Sequence, residues 1–75
     1  MYTLERKDAE MMLYNLLKRT LIREKDIDEL IDIARNNEHS IPMKAIRHRY
    51  DSMEKKILTD KDIDELDTLM HFYGP

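Results

Sequence analysis

The sequence predicts an all-α protein, two tandem helical hairpins packed as a small four-helix bundle, and three observations carry that expectation. The chain of 75 residues contains one Gly and two Pro, so there are few points at which regular structure must break. Its apolar residues recur with a helical period: Ile27, Leu30, Ile31 and Ala34 fall at i, i+3, i+4 and i+7, and Ile63, Leu66, Met70 and Tyr73 at i, i+3, i+7 and i+10. No segment alternates like a strand. The hexapeptide KDIDEL occurs twice, at residues 25–30 and 61–66, and similar residues extend the match: Tyr14 pairs with Tyr50, Leu17 with Met53, Leu21 with Ile57 and Ile33 with Leu69. An internal repeat of one hairpin, about 3–37 and about 40–74 within a single domain of 1–75, accounts for all three.

Taken in order, helix one is expected from Thr3, as N-cap, to about Thr20. Helix two runs from about Glu24 to Asn36, with Glu24, Asp26 and Asp28 in its first turns, where the positive end of the helix dipole favours them. The segment NNEHSIP breaks the chain. Ser40 is then placed to cap helix three, and Pro42 sits early enough that its missing N–H costs nothing, so the helix is expected to run to about Lys56. Thr59 followed by Asp62 is a capping box with Asp in place of Glu or Gln, and it starts helix four. Gly74 and Pro75 stop that helix.

Charge follows the same plan. Residues 1–23, 24–38, 39–58 and 59–75 carry net charges of +2, −4, +3 and −4, so each predicted hairpin joins a basic helix to an acidic one. That alternation favours antiparallel pairing within a hairpin. The whole chain is at −3 with pI ≈ 5.5, which leaves no basic excess to draw it to phosphate backbones or anionic lipid. Charged residues at 39% and apolar ones at 41% suit a folded helical protein, since a disordered tail would lack the apolar share.

Composition narrows the chemistry. Without cysteine there is no disulfide, thiol nucleophile or cysteine-ligated zinc. The first ten residues are charged and so do not form the apolar core of a secretory signal, and no apolar run approaches a membrane span; a cytoplasmic protein without a membrane partner is expected. Asp60, Asp62 and Asp64 resemble the opening of a calcium loop. The pattern fails at its sixth position, Glu65 instead of Gly, and at its twelfth, His71 instead of Glu. His39, His48 and His71 lack the i, i+4 or i, i+3 spacing of a helical metal site. One Gly leaves no phosphate-cradling loop or oxyanion turn, so no catalytic residue, cofactor or metal is assigned, and the chain reads as non-enzymatic.

What remains is binding. If the repeat is structural, Tyr14, Leu17 and Leu21 face the shared core as Tyr50, Met53 and Ile57 do. Helix one then has a second apolar stripe, Ala9, Met12, Leu13 and Leu16, whose last three members align with polar His48, Arg49 and Ser52. Either helix one is buried on two sides, or this stripe binds another protein. The second alternative makes the chain a small regulator, an adaptor or stoichiometric inhibitor, with a homodimer as a further mode of association. It expects Leu13→Lys to abolish binding without unfolding. Nucleic acid ranks below protein as a partner: Lys44, Arg47 and Arg49 give helix three a basic cluster, but the second helix of each hairpin, which would enter a groove, is acidic.

Overall fold

A computed structural model of the chain describes residues 4–37 and 40–74. Four helices follow in order, α1 over Arg6–Thr20, α2 over Glu24–Arg35, α3 over Met43–Asp51 and α4 over Asp60–Tyr73. They form a ring in which α1 lies beside α2 and α4, and α3 beside the same two. The radius of gyration, 11.5 Å, is what one compact unit of this length should have, about 11 Å, so the hairpins share a core instead of standing apart.

Each helix closes by a different device. The expected Thr3 cap lies outside the described residues; the N-cap position of α1 is Glu5, without a side-chain cap. Lys18 and Arg19 in the last turn of α1 complement its dipole, and the Leu21 N–H donates to the Leu17 carbonyl at 2.8 Å. Acids open α2 as expected, with Glu24 and Asp26 in the first turn. Asp62 and Thr59 form the capping box of α4: the Asp62 N–H donates to Thr59 Oγ1 at 3.2 Å and the Thr59 N–H to Asp62 Oδ2 at 3.1 Å. Gly74 ends that helix at φ −115°, so its role is not a left-handed cap. A Cβ there would meet Met70 Sδ at 2.9 Å.

Helix three departs from expectation at both ends. Pro42, not Ser40, holds its N-cap position, and the Ser40 N–H donates instead to Asn37 Oδ1 at 3.2 Å. It stops at Asp51, short of the expected Lys56, because the Ser52 and Met53 N–H groups turn back to the carbonyls of Arg49 and Tyr50, both at 3.1 Å. The chain then crosses as a non-helical strap. Leu21 and Lys55 form an antiparallel bridge, and the Lys56 N–H donates to the Thr20 carbonyl, one of the acceptors that the end of α1 leaves unpaired.

The strap removes the equivalence of the two halves. Leu21 is buried whereas Ile57, its counterpart in the sequence match, is 90% exposed; Tyr50 is buried whereas Tyr14 is exposed. Likeness persists at some positions, where Asp26 and Asp62 are both buried, as are Leu30 and Leu66 and, outside the hexapeptide, Leu17 and Met53, but Ile27 is buried whereas Ile63 is exposed.

The core is filled mainly by Leu13, Leu16, Leu17, Leu30, Ile41, Met43, Ile46, Tyr50, Leu66 and Leu69. Ala9, Leu13 and Leu16 belong to it, at 0% exposure, and Met12 packs against it half-buried. The proposed binding stripe of helix one is therefore a core stripe. α1 lies against both α2 and α4, so it must be apolar on two flanks. Leu13→Ala should then cost about 2–5 kcal/mol. A domain of this size has only about 4–11 kcal/mol in total. The expectation that Leu13→Lys stays folded is reversed: circular dichroism at 25 °C should show lost helix, and a fully helical variant would return Leu13 to the surface.

Charge also acts differently from the expected pairing within hairpins. Arg19 of α1 donates to Asp62 Oδ1 of α4 from Nη2 at 2.8 Å and Nε at 3.2 Å, and to Glu65 at 3.1 Å. Arg49 of α3 donates to Glu29 of α2 at 2.5 and 3.3 Å. Arg23 and Glu54 approach to 3.4 Å. All three pairs tie one hairpin to the other; within the second hairpin, Arg47 reaches Asp67 only at 4.0 Å. The Arg19 guanidinium, helped by the Thr59 N–H, holds the Asp62 carboxyl below its ordinary value, and Arg49 does the same to Glu29. A depressed carboxylate pKa stabilises the fold above its unfolded value, about 4. That contribution disappears as pH falls through the folded value. Urea midpoints measured from neutral pH downward should drop through this acid range, with a shallower drop in Asp62→Asn; an unchanged slope in that variant would separate Asp62 from the acid transition.

Candidate protein-binding face

Once the core stripe of α1 is taken up inside the bundle, the opposite side of the helix carries the outward residues. Ala9, Leu13, Leu16, Leu17 and Thr20 occupy one continuous arc at i, i+4, i+7, i+8 and i+11, and all are buried. Lys7, Met11, Tyr14 and Lys18 lie on the far side, and all are exposed. Met11 is 65% exposed and Tyr14 39%, although both are large and apolar. Lys18 Nζ stands 5.4 Å from the centre of the Tyr14 ring, a cation–π contact that leaves one face of the ring for other use.

Met11 and Tyr14 border a groove of about 180 Å³ between α1 and α2, whose apolar lining they form with Ile31 and Ala34. Lys7 and Arg35 line it as well. Glu10, also at the groove, is neutralised by Arg6 at 3.5 Å. Lys7, Lys18 and Arg35 make no ion pair among the described residues, so the face keeps positive charge around an apolar centre. A shallower groove of about 550 Å³ lies between α3 and α4, lined by Pro42, Lys44, Ala45, His48 and Tyr73. It offers small or half-buried apolar groups and no projecting anchor comparable with Met11.

The basic cluster of α3 is divided by its neighbours. Arg49 is held by Glu29, and Arg47 donates to Asp51 Oδ1 at 3.3 Å; Lys44 alone of the three keeps an unpaired charge among the described residues. A guanidinium engaged by a carboxylate is a poor phosphate ligand. The acids that resemble a calcium loop are likewise divided, since Asp62 faces Arg19 and the Thr59 cap while Asp60 and Asp64 point to solvent. His48 and His71 are exposed, and His39 lies outside the described residues. No group of three His, Cys, Asp or Glu among the described residues is placed to hold a metal ion. None of the described helices is long and apolar enough to cross a membrane.

Sequence alignment of the two halves hid this face by assigning Tyr14 to the core beside Tyr50. The signal that finds it is helical phase: the buried arc of α1 is complete without Met11 and Tyr14, which lie across the helix from it. Comparison of the chain with protein-family models, curated proteins and solved structures gives no match, so the functional reading rests on this geometry alone.

Proposed function

We propose that this chain is a small, non-enzymatic, cytoplasmic protein-binding regulator, an adaptor or stoichiometric inhibitor, that docks its partner on the outer face of α1 and the α1/α2 groove. The observation that carries the proposal is Met11 beside Tyr14, both exposed, at the edge of an apolar groove flanked by unpaired cations. Apolar side chains clustered in this way favour removal from water, and a flexible thioether adapts to an irregular partner surface. Tyr adds a rigid aromatic anchor of the kind that dominates interface energetics. The proposal keeps helix one as the binding element and moves the contact from Ala9, Met12, Leu13 and Leu16 to the opposite side of the same helix.

The nucleic-acid alternative loses support from the same contacts that stabilise the fold. Two of its three cations, Arg47 and Arg49, already bond carboxylates.

Affinity isolation from the native cell tests the docking face, using the wild type, Met11→Asp, and Lys44→Glu as a control in the other groove. Met11→Asp should retain wild-type helix content and weaken capture by about tenfold or more, as loss of a central anchor does. Equal capture by wild type and Met11→Asp would remove α1 from the interface. Loss confined to Lys44→Glu would move the site to the α3/α4 groove.

A further inference from the structure

We infer that the α1/α2 groove takes an acidic segment of another protein, an apolar side chain flanked by carboxylates; this rests on the docking reading above and names the chemistry of its partner. The argument is the distribution of charge along the groove. α1 and α2 are joined by the short turn at residues 21–23, so the start of α1 lies beside the end of α2. The bond from Arg6 Nη2 to the Ala34 carbonyl, at 2.8 Å, joins those two ends. Lys7 and Arg35 therefore line the same end of the groove, one from each helix, and neither has an ion pair among the described residues. Glu10, the acid that lines the groove, is already met by Arg6. Asp8 and Asp32 are exposed nearby, but neither lines the groove nor pairs with either cation.

The turn end of the two helices has a different balance. Lys18 of α1 stands beside the Tyr14 ring, and α2 begins there with exposed Glu24 and Asp28. Those acids do not line the groove, and they repel a carboxylate that approaches from the turn end. A bound acidic segment is thus oriented, its carboxylates at Lys7 and Arg35 and its apolar side chain against Met11, Tyr14 and Ile31. Arg35 supplies a planar fork that matches a carboxylate, and Lys7 a point charge on the opposite wall. At about 180 Å³ the groove is smaller than a small-molecule site, roughly 300–1,000 Å³, and suits side chains of a protein segment. The net charge of −3 opposes a polyanion such as nucleic acid, whereas a pair of carboxylates needs only the local cations. Charges at an exposed rim select the partner and speed encounter more than they tighten the complex.

NMR titration of the full chain with capped helical peptides, up to about 1 mM at low salt, tests the inference. The probes share a row of leucines and differ in the residues beside it: glutamate, glutamine or lysine. The glutamate peptide should shift the amides of Lys7, Met11, Tyr14, Ile31 and Arg35, and its binding should weaken as salt rises. The glutamine peptide should bind about threefold to tenfold more weakly, and the lysine peptide more weakly still. In the double variant Lys7→Glu, Arg35→Glu, with circular dichroism unchanged, the order of the glutamate and lysine peptides should reverse, which a general loss of stability would not give. If that variant loses helix, the comparison of the peptides on the wild type decides the matter. Equal binding of the glutamate and glutamine peptides at the groove overturns the acidic partner and leaves the docking face standing. Shifts confined to Lys44, Ala45 and His48, or none with the glutamate peptide, also overturn it; the docking reading is then decided separately, by whether Met11→Asp loses its captured partner.

Discussion

The fold depends most on how the C-terminal end of α1 is satisfied. Thr20 is fully buried there, and its hydroxyl donates to the Leu16 carbonyl at 2.8 Å while accepting from the Tyr50 hydroxyl at 2.7 Å. Its carbonyl takes the Lys56 N–H from the strap. A helix end inside a protein leaves acceptors that cost free energy unless they are paired, and here α3 and the strap supply the donors. One residue earlier, Arg19 reaches α4. Two consecutive residues thus bind α1 to every element of the second hairpin. Burial keeps the Tyr50 phenol neutral by pushing it above its ordinary value, which preserves its donated proton in this cluster.

That junction explains why the second half could not copy the first. A helix three continued to Lys56 would have no N–H to offer the Thr20 carbonyl, because those groups would be used within the helix. Ending it at Asp51 releases the strap, and the strap leaves Ile57 in water where Leu21 is enclosed. The two KDIDEL segments do share one arrangement: the second and fifth residues of each, Asp26 with Glu29 and Asp62 with Glu65, lie beside an arginine of the other hairpin. The arginines, Arg49 and Arg19, do not correspond in the alignment. Two acidic edges of common pattern have been met by unrelated basic residues.

The opposite end of the bundle is held more simply. The Tyr73 hydroxyl donates to the Leu4 carbonyl at 2.9 Å, and Arg6 Nη2 to the Ala34 carbonyl at 2.8 Å, where a cation also suits the negative end of the α2 dipole. Both bonds brace α1 from the side that faces its neighbours. The outer row of α1 is left without structural duty, and this is why its two large apolar residues bear on function. Ile57 is more exposed than either, but it stands in the non-helical strap, whereas Met11 and Tyr14 border the groove between α1 and α2.

The sequence by itself determined the four helices, the order of basic and acidic segments, the Thr59–Asp62 cap and the stop at Gly74, because each depends on residues within a few positions of one another. Periodicity and capping are local physics. It also held the clue to the outer face of α1 in the phase of Met11 and Tyr14 against the buried arc. Only the tertiary structure decided that Ala9, Leu13 and Leu16 are core, that helix three ends at Asp51, and that Arg19 and Arg49 reach across hairpins. Those outcomes depend on which helices become neighbours. In a ring, α1 touches two partners and must be apolar on both flanks, and a carbonyl buried at its end draws a donor from a segment more than thirty residues away.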